Sequence, residues 1–289
     1  MREILVISGK GGTGKTSLTA AFAHLADSKI ICDLDVDAPD LHLLLQPRHE
    51  REVEFHAGNE ARIEQAGCTR CGICEEMCRF DAVRRENDTF IVDPIRCEGC
   101  KVCVAFCPEQ TISFPEKHCG TWYVSSTRFG AMVHAQLFPG EENSGRLVAL
   151  LKKEARELAR KNNIDLILSD GAPGIGCPVI SSLSGAHCAV LVTEPTPSGR
   201  HDLERVAGLC DHFRIRAGVI INKADINPDE ARIIEQYCRQ KGYPLLARLP
   251  HDPMITEAMV KACAVTELDK TEIGESIRQA WKRIEEFAG

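Results

Sequence analysis

The chain has 289 residues, of which 44% are hydrophobic and 27% charged, a balance typical of soluble globular proteins with one large domain or a large and a small one. Its net charge of −7 argues against broad electrostatic binding to nucleic acid. No apolar run approaches the roughly 20 residues that a membrane-spanning helix needs, and residues 1–7 are too short for a signal peptide.

Strands and helices alternate along most of the chain. Residues 3–7 and 30–32 predict buried strands, and residues 17–26 between them predict a helix. After a cysteine-rich stretch, further strands are predicted at residues 165–168, 189–193, 217–221 and 245–249, with helices at 147–161, 228–242 and 272–287. The last helix carries an apolar stripe and mixed charges, which favours docking on the sheet over membrane binding. The pattern predicts an α/β fold, with a parallel β-sheet and helices on both faces.

A glycine-rich loop lies between the first strand and the first helix. Residues 9–16 read GKGGTGKT, which fits the P-loop pattern in the strand–loop–helix context that this motif requires. Such a loop surrounds phosphate oxygens with backbone N–H groups, and the following helix adds its positive end. Lys15 is expected to reach the β- and γ-phosphates and Thr16 to bind Mg²⁺. The predicted nucleotide contacts here are Gly11, Gly12, Thr13, Gly14, Lys15, Thr16 and Ser17.

A second lysine, Lys10, makes the loop KGGTGKT. This resembles the deviant P-loop of the MinD, ParA, arsenical-pump and nitrogenase iron-protein ATPases. The resemblance implies a Mg²⁺-dependent ATPase that forms a dimer around ATP. It also implies that Lys10 is catalytic in trans, at the partner's nucleotide, where the transferred phosphoryl group becomes most negative.

Acidic residues end two of the predicted strands. By the same resemblance, Asp35 orients the attacking water, while Asp33 supports the magnesium shell. Asp170 ends the strand at 165–168 and resembles the Walker B carboxylate that completes that shell.

A third strand end is a candidate for base recognition. Asn222 follows the strand at 217–221 and resembles the family's adenine contact, with Pro250 and Asp252 expected at the same rim. A simple turn after a strand is the alternative for Asn222.

Eight of the fifteen cysteines form two runs of C-x₂-C-x₂-C-x₃-C at a constant interval. In two-cluster ferredoxins the fourth cysteine of each run ligates the other [4Fe–4S] cluster. The predicted ligands are therefore Cys68, Cys71, Cys74 and Cys107 for one cluster, and Cys97, Cys100, Cys103 and Cys78 for the other. Zinc is the competing metal, but its sites usually pair two C-x₂-C units across a longer spacer. Clustered thiols in an ATP-using chain indicate a reducing, cytoplasmic setting.

The cysteine runs interrupt the α/β pattern. We therefore expect an inserted α+β ferredoxin domain of the bacterial type at residues 61–116, inside an ATPase domain formed by residues 1–60 and 117–289. Of the single cysteines, Cys177 follows the Walker B strand. It is either a small residue packing a loop, or a reactive thiol or intersubunit cluster ligand with Cys119 as a candidate partner. The other five, Cys32, Cys188, Cys210, Cys238 and Cys263, are expected in the core.

The whole chain resembles MinD-superfamily ATPases that contain an inserted ferredoxin domain. Beyond the loop and the cysteines, the match includes residues 35–39, 140–145, 170–178, 193–196 and 198–203. It implies a homodimer, or a heterodimer with a paralogous ATPase, acting on a redox or metal-cofactor protein. Three functions remain open: ATP-driven electron transfer or metallocluster assembly, an Fe–S carrier or scaffold, and a positioning ATPase with redox-sensing clusters.

Overall fold

The computed structural model describes residues 1–141 and 144–289, with the side chain of Ser144 excluded. Glu142 and Asn143, which belong to the matched stretch 140–145, lie outside the described residues. The chain divides into two compact units. Unit 1 comprises Met1–Val53, Trp122–Gln136 and Ser144–Gly289, and unit 2 comprises Glu54–Thr121 and Leu137–Asn143.

The strands are, in chain order, β1 (Arg2–Ser8), β2 (Ile30–Asp33), β3 (Arg48–Asn59), β4 (Arg62–Ile63), β5 (Val83–Glu86), β6 (Thr89–Val92), β7 (Ile112–Ser113), β8 (Glu116–Thr127), β9 (Gly130–Leu137), β10 (Leu166–Pro173), β11 (Cys188–Thr193), β12 (Arg216–Ile221) and β13 (Leu245–Arg248).

The α-helices are α1 (Lys15–Leu25), α2 (Leu41–Leu45), α3 (Ile73–Glu76), α4 (Val102–Phe106), α5 (Ser144–Lys161), α6 (Cys177–Leu183), α7 (Pro197–His212), α8 (Pro228–Lys241), α9 (Pro253–Val260) and α10 (Glu272–Ala288). Short 3₁₀ turns occur at Gln65–Gly67 and Val265–Glu267. No helix in the described part of the chain has the length and apolar character needed to cross a bilayer.

Unit 1 is built on a mostly parallel sheet with the strand order β13-β12-β11-β1-β10-β2-β9-β8-β3. Successive residues of β1 and β11 are buried, as expected when helices cover both faces of a parallel sheet. The predicted parallel strands are confirmed. The strands β3, β8 and β9 were not predicted. For β3 the reason is that the strand is mostly exposed and charged and lacks an apolar pattern.

Helix α10 packs its apolar stripe into the core of unit 1, as predicted. Ile277 and Trp281 are buried, and the Trp281 ring stacks on Phe22 of α1 at 5.4 Å between centroids. Four of the five single cysteines expected in the core are buried, while Cys263 is half-buried.

Unit 2 contains two small antiparallel pairs, β4 with β7 and β5 with β6. Its apolar centre consists of Ala61, Cys74, Val83, Phe90, Cys103 and Ile112. Cys74 and Val83 occupy the same places in the first repeat as Cys103 and Ile112 in the second, so the internal repeat of the sequence is also a repeat of buried positions.

Candidate functional site

The glycine-rich loop connects β1 to α1, and its backbone path requires glycine at two positions. Gly14 has φ +90°, and a Cβ there would lie 2.5 Å from Nδ2 of Asn222. A Cβ on Gly9 would lie 2.4 Å from Asp202 of α7. The positive φ strains any other residue at Gly14, and a Cβ on Gly9 would also meet the Asp202 backbone at 2.5 Å, so a side chain at either position would displace the loop.

A cleft of about 1250 Å³, counted out to solvent, opens beside this loop. The predicted nucleotide-binding residues that line it are Gly11, Gly12, Gly14, Lys15, Thr16, Ser17, Asn222, Pro250 and Asp252. Thr13 is the exception, because its side chain is buried and does not line the cleft. The structure therefore brings the loop, the end of β12 and the start of α9 to one cavity.

Asp33 ends β2 and lies beside Asp170, which belongs to the neighbouring strand β10. They are partners in the register of β2 and β10, and both are 1% exposed. One carboxylate oxygen of each, Oδ2, is buried without a hydrogen-bond partner in the described residues. Burial raises the pKa of Asp33 well above its usual range, and the neighbouring Asp170 raises it further. Burial also raises the pKa of Asp170.

This pair suits a divalent cation. The Thr19 hydroxyl donates to Oδ1 of Asp170 at 3.0 Å, and Thr16 in the first turn of α1 opposes the rise in the pKa of that carboxyl. Mg²⁺ is commonly held by one or two carboxylates together with substrate phosphates. The predicted set of Thr16, Asp33 and Asp170 therefore fits Mg²⁺, and its unpartnered oxygens are the atoms that a cation would satisfy.

Asp35 lies against the loop lysine. Its Oδ2 is 3.5 Å from Nζ of Lys15, and both residues are buried. Burial raises the pKa of Asp35 to about 6, although Lys15 opposes the shift. At neutral pH the carboxylate is largely ionised and can accept a proton or a hydrogen bond from water.

Lys10 and Lys223 converge on one carboxylate. Nζ of Lys10 lies 3.4 Å from Oε2 of Glu194 and 3.4 Å from the Thr196 hydroxyl. Lys223 pairs with the other oxygen of Glu194, and its Nζ also donates to the Gly12 carbonyl at 3.3 Å. In this structure Glu194 therefore holds Lys10 within its own chain.

The Asn222 side chain is hydrogen-bonded to the backbone of the glycine-rich loop. Its Nδ2 donates to the Thr13 carbonyl at 2.8 Å, and its Oδ1 accepts from the Lys223 N–H at 3.0 Å. Two of its hydrogen-bonding groups are thus committed to protein backbone, which makes it a brace for the loop as well as part of the cleft wall.

Several lining residues were missed by sequence reasoning: Ala38, Asp40, Pro173, Lys223, His251, Ile255, Thr256 and Met259. Three of them lie on α9, a helix that was not predicted. A usable signal existed, because Asp252 caps this helix by accepting from the Met254 N–H, with Pro253 at the first helical position.

The cysteine runs of unit 2 surround two separate spaces. One, of about 330 Å³ counted out to solvent, is lined by Cys68, Cys71, Cys74 and Cys107. The other, of about 360 Å³, is lined by Cys78, Cys97, Cys100 and Cys103. Each space combines three cysteines of one run with the last cysteine of the other run.

The described residues hold no group of three or more His, Cys, Asp or Glu side chains set around a single metal ion. Burial raises the pKa of the Cys74 thiol to about 11, so without a metal this thiol is protonated at neutral pH. A bound metal would favour its thiolate form.

Cys177 is exposed at the start of α6. Packing of a loop by a buried cysteine, one of the two interpretations of this residue, is therefore wrong. Cys119 is fully buried, and its Sγ donates to the Ala57 carbonyl at 3.1 Å. It is not available as a surface thiol to share a ligand with Cys177.

We expect Asp33→Asn to stabilise the protein in the absence of Mg²⁺ and nucleotide. An acid whose pKa is raised on folding costs stability as the pH rises towards its folded value, because the unfolded state ionises first. The asparagine keeps an oxygen for the Asp35 N–H, which Oδ1 of Asp33 accepts at 3.1 Å. Its advantage in the free energy of unfolding should grow as the pH rises from about 4, where an unfolded aspartate ionises, to roughly 1–3 kcal/mol.

Urea unfolding at several pH values measures this difference, with Asp165→Asn as the control because the Asp165 side chain is 91% exposed. The same variant should gain less stability than the wild type from MgADP. An Asp33→Asn protein less stable than the wild type at pH 9 without Mg²⁺ would contradict the proposed charge repulsion.

One curated relative matches nearly the whole chain, and another matches about a fifth of it. An uncharacterized protein of Methanocaldococcus jannaschii is 28% identical over 290 residues, which is 99% of this chain and 97% of the relative. A ferredoxin-like protein from the nif region of Rhizobium leguminosarum bv. trifolii is 35% identical over 60 residues, which is 19% of this chain and 94% of the relative.

Solved structures of similar fold include two archaeal proteins. The cell division ATPase MinD of Pyrococcus furiosus has a TM-score of 0.59 at 18% identity and covers 99% of both chains. The septum site-determining protein MinD of Pyrococcus horikoshii, solved with Mg-ADP, has a TM-score of 0.59 at 18% identity, covering 100% of this chain and 97% of that one. The family model of the CobQ/CobB/MinD/ParA nucleotide-binding domain matches residues 4–262, and the chain belongs to this family.

Proposed function

We propose that the chain is a Mg²⁺-dependent ATPase whose unit 2 carries two [4Fe–4S] clusters. In this proposal, ATP-driven dimerisation is coupled to electron transfer, or to metallocluster assembly, on a redox or metal-cofactor partner protein. The dimer is formed with a second copy or with a paralogous ATPase.

The arrangement of the eight cysteines carries the proposal. The crossed pattern, three thiols from one run and one from the other around each space, is the ligand pattern of two-cluster ferredoxins. A four-iron cluster takes one thiolate per iron, so its ligands stand farther apart than the donors of a single zinc ion. The similarity to a ferredoxin-like protein supports the same conclusion.

The nucleotide side of the proposal rests on charge placement. Lys15 and the loop N–H groups would hold the phosphates, and Asp33 with Asp170 would hold Mg²⁺ between them and the phosphate oxygens. Asp35, beside Lys15, would orient the attacking water and accept its proton. Such preorganised groups stabilise the charge that develops as the phosphoryl group is transferred.

When bound, the clusters would supply reversible one-electron transfer. Coupling to the nucleotide is supported by chain connectivity. The chain passes between the two units four times, first soon after Asp35 and α2, and last just before α5. Nucleotide-dependent movement near Asp35 or Asp170 could thus reach unit 2 through several covalent connections.

Lys10 is the residue that would complete the neighbouring active site. Before it can act in trans, its contacts with Glu194 and Thr196 must break, so closure of the dimer exchanges a carboxylate partner for a phosphate. Such an exchange ties the release of Lys10 to the presence of the partner's nucleotide.

Lys15→Ala should abolish ATP hydrolysis while leaving the fold intact. Loss of one charged group at the transferred phosphate is expected to lower kcat/KM by about 100-fold or more. Steady-state phosphate release measures this effect, with Lys161→Ala, at the exposed end of α5, as the control. Wild-type turnover by Lys15→Ala would contradict the assignment of the P-loop.

Pairs of cysteine substitutions test the crossed ligand sets. Cys71→Ala with Cys107→Ala removes two ligands of one predicted cluster and should leave about half of the iron. Cys100→Ala with Cys107→Ala removes one ligand from each cluster and should lose nearly all of it. Iron per chain after anaerobic purification is the readout, and Cys263→Ala is the control with full iron. The reverse order of losses would show that each run builds its own cluster.

A further inference from the structure

The two cysteine runs of unit 2 differ at the residue that precedes each short helix. Gly72 precedes α3 with φ +82°, and Lys101 holds the equivalent place before α4 with φ +65°. The left-handed conformation suits glycine but is strained for a lysine. The second run therefore pays backbone strain to place a cation where the first run has no side chain.

At another pair of equivalent positions the first run has the charged residue and the second run has the glycine, and this difference has a structural explanation. Arg70 and Gly99 are also equivalent and both have φ +61°. Arg70 pairs with Asp88 at 3.2 Å, and it lines neither cysteine-lined space. A Cβ on Gly99 would lie 2.6 Å from the carbonyl oxygen of Asn59, which explains the glycine there.

No comparable contact explains the lysine at position 101. Within the described residues its ammonium has no carboxylate oxygen within 4.0 Å. It lines the space of Cys78, Cys97, Cys100 and Cys103, and its Nζ lies 5.7 Å from the ring centroid of Phe114, which lines the same space. Lys101 is an exposed residue and lines only one of the two spaces.

When the other charged residues that line the two spaces are counted as well, the second space is still more positive than the first. Glu109 is the charged residue in the wall of the first space, and its repeat equivalent at the second is Phe80. The second space has Glu98, opposite in charge to Lys101, where the first has Thr69. The first wall therefore carries one net negative charge, and the second is neutral.

We propose that Lys101 raises the reduction potential of the cluster held by Cys78, Cys97, Cys100 and Cys103 above that of the other cluster. This inference rests on the proposed function, since it requires both clusters. Reduction adds negative charge, which a nearby cation stabilises. With both clusters bound, one electron supplied by a one-electron donor of low potential would pass from the first cluster, which is reoxidised, to the second, which is reduced. No bond is made or broken, and no proton moves.

The repeat provides a reciprocal pair of variants for the test. Potentiometry of the anaerobically purified full chain, followed by EPR, should give two different potentials for the wild type. Lys101→Gly should lower the higher potential, and Gly72→Lys should raise the lower one. Lys101→Arg should keep the wild-type values, because it retains the charge. Arg70→Gly is the control, and it should move neither potential beyond the wild-type error.

The Cys71→Ala, Cys107→Ala protein is expected to keep only the second cluster. It therefore shows which cluster's reduction potential Lys101→Gly changes. Lys101→Gly in this background should lower its single remaining potential. Two clusters whose potentials are both unchanged by Lys101→Gly would overturn the role of Lys101 while leaving the proposed function intact. A wild-type chain without iron would overturn the proposed function itself.

Discussion

Two buried carboxylates, Asp33 and Asp170, are forced together by the register of a parallel sheet. Because β2 and β10 are in-register neighbours, their final acids meet at the same edge, and each retains an oxygen with no protein partner among the described residues. The repulsion between them is tolerated because the surrounding sheet and helices fix the strands. Destabilised groups of this kind concentrate at functional sites, where a ligand relieves the strain. The loop, Lys15 and Asp35 are all arranged around this pair.

Unit 2 differs from unit 1 in having only a small apolar core. It is small, its strands are short, and its apolar centre includes Cys74 and Cys103, one from each run. A unit with so little core gains much of its stability from a bound metal group when one is present. Duplication provides two nearly equal spaces, and single substitutions such as Lys101 then make them unequal. In the proposed relay this inequality would set the direction of transfer, since electrons settle on the cluster with the higher potential.

The sequence predicted best where a motif fixes local geometry. The loop at residues 9–16, the acids Asp33 and Asp170 on β2 and β10, and the grouping of cysteines all depend on short spacings. Prediction was poorer where tertiary contacts decide. The charged strand β3 had no apolar periodicity to reveal it, and its partners β8 and β9 were missed with it. The exposure of Cys177 and the attachment of Lys10 to Glu194 depend on the three-dimensional path of the chain, which no spacing encodes. Helix α9 was missed although Asp252 and Pro253 form a recognisable start.

The central claim is that one chain combines a nucleotide-binding fold with two four-iron clusters. The most direct test is the content of iron, acid-labile sulfide and zinc in the full chain purified without oxygen. The account predicts about eight iron and eight sulfide per chain, with zinc near zero. Stoichiometric zinc with no labile sulfide would contradict it.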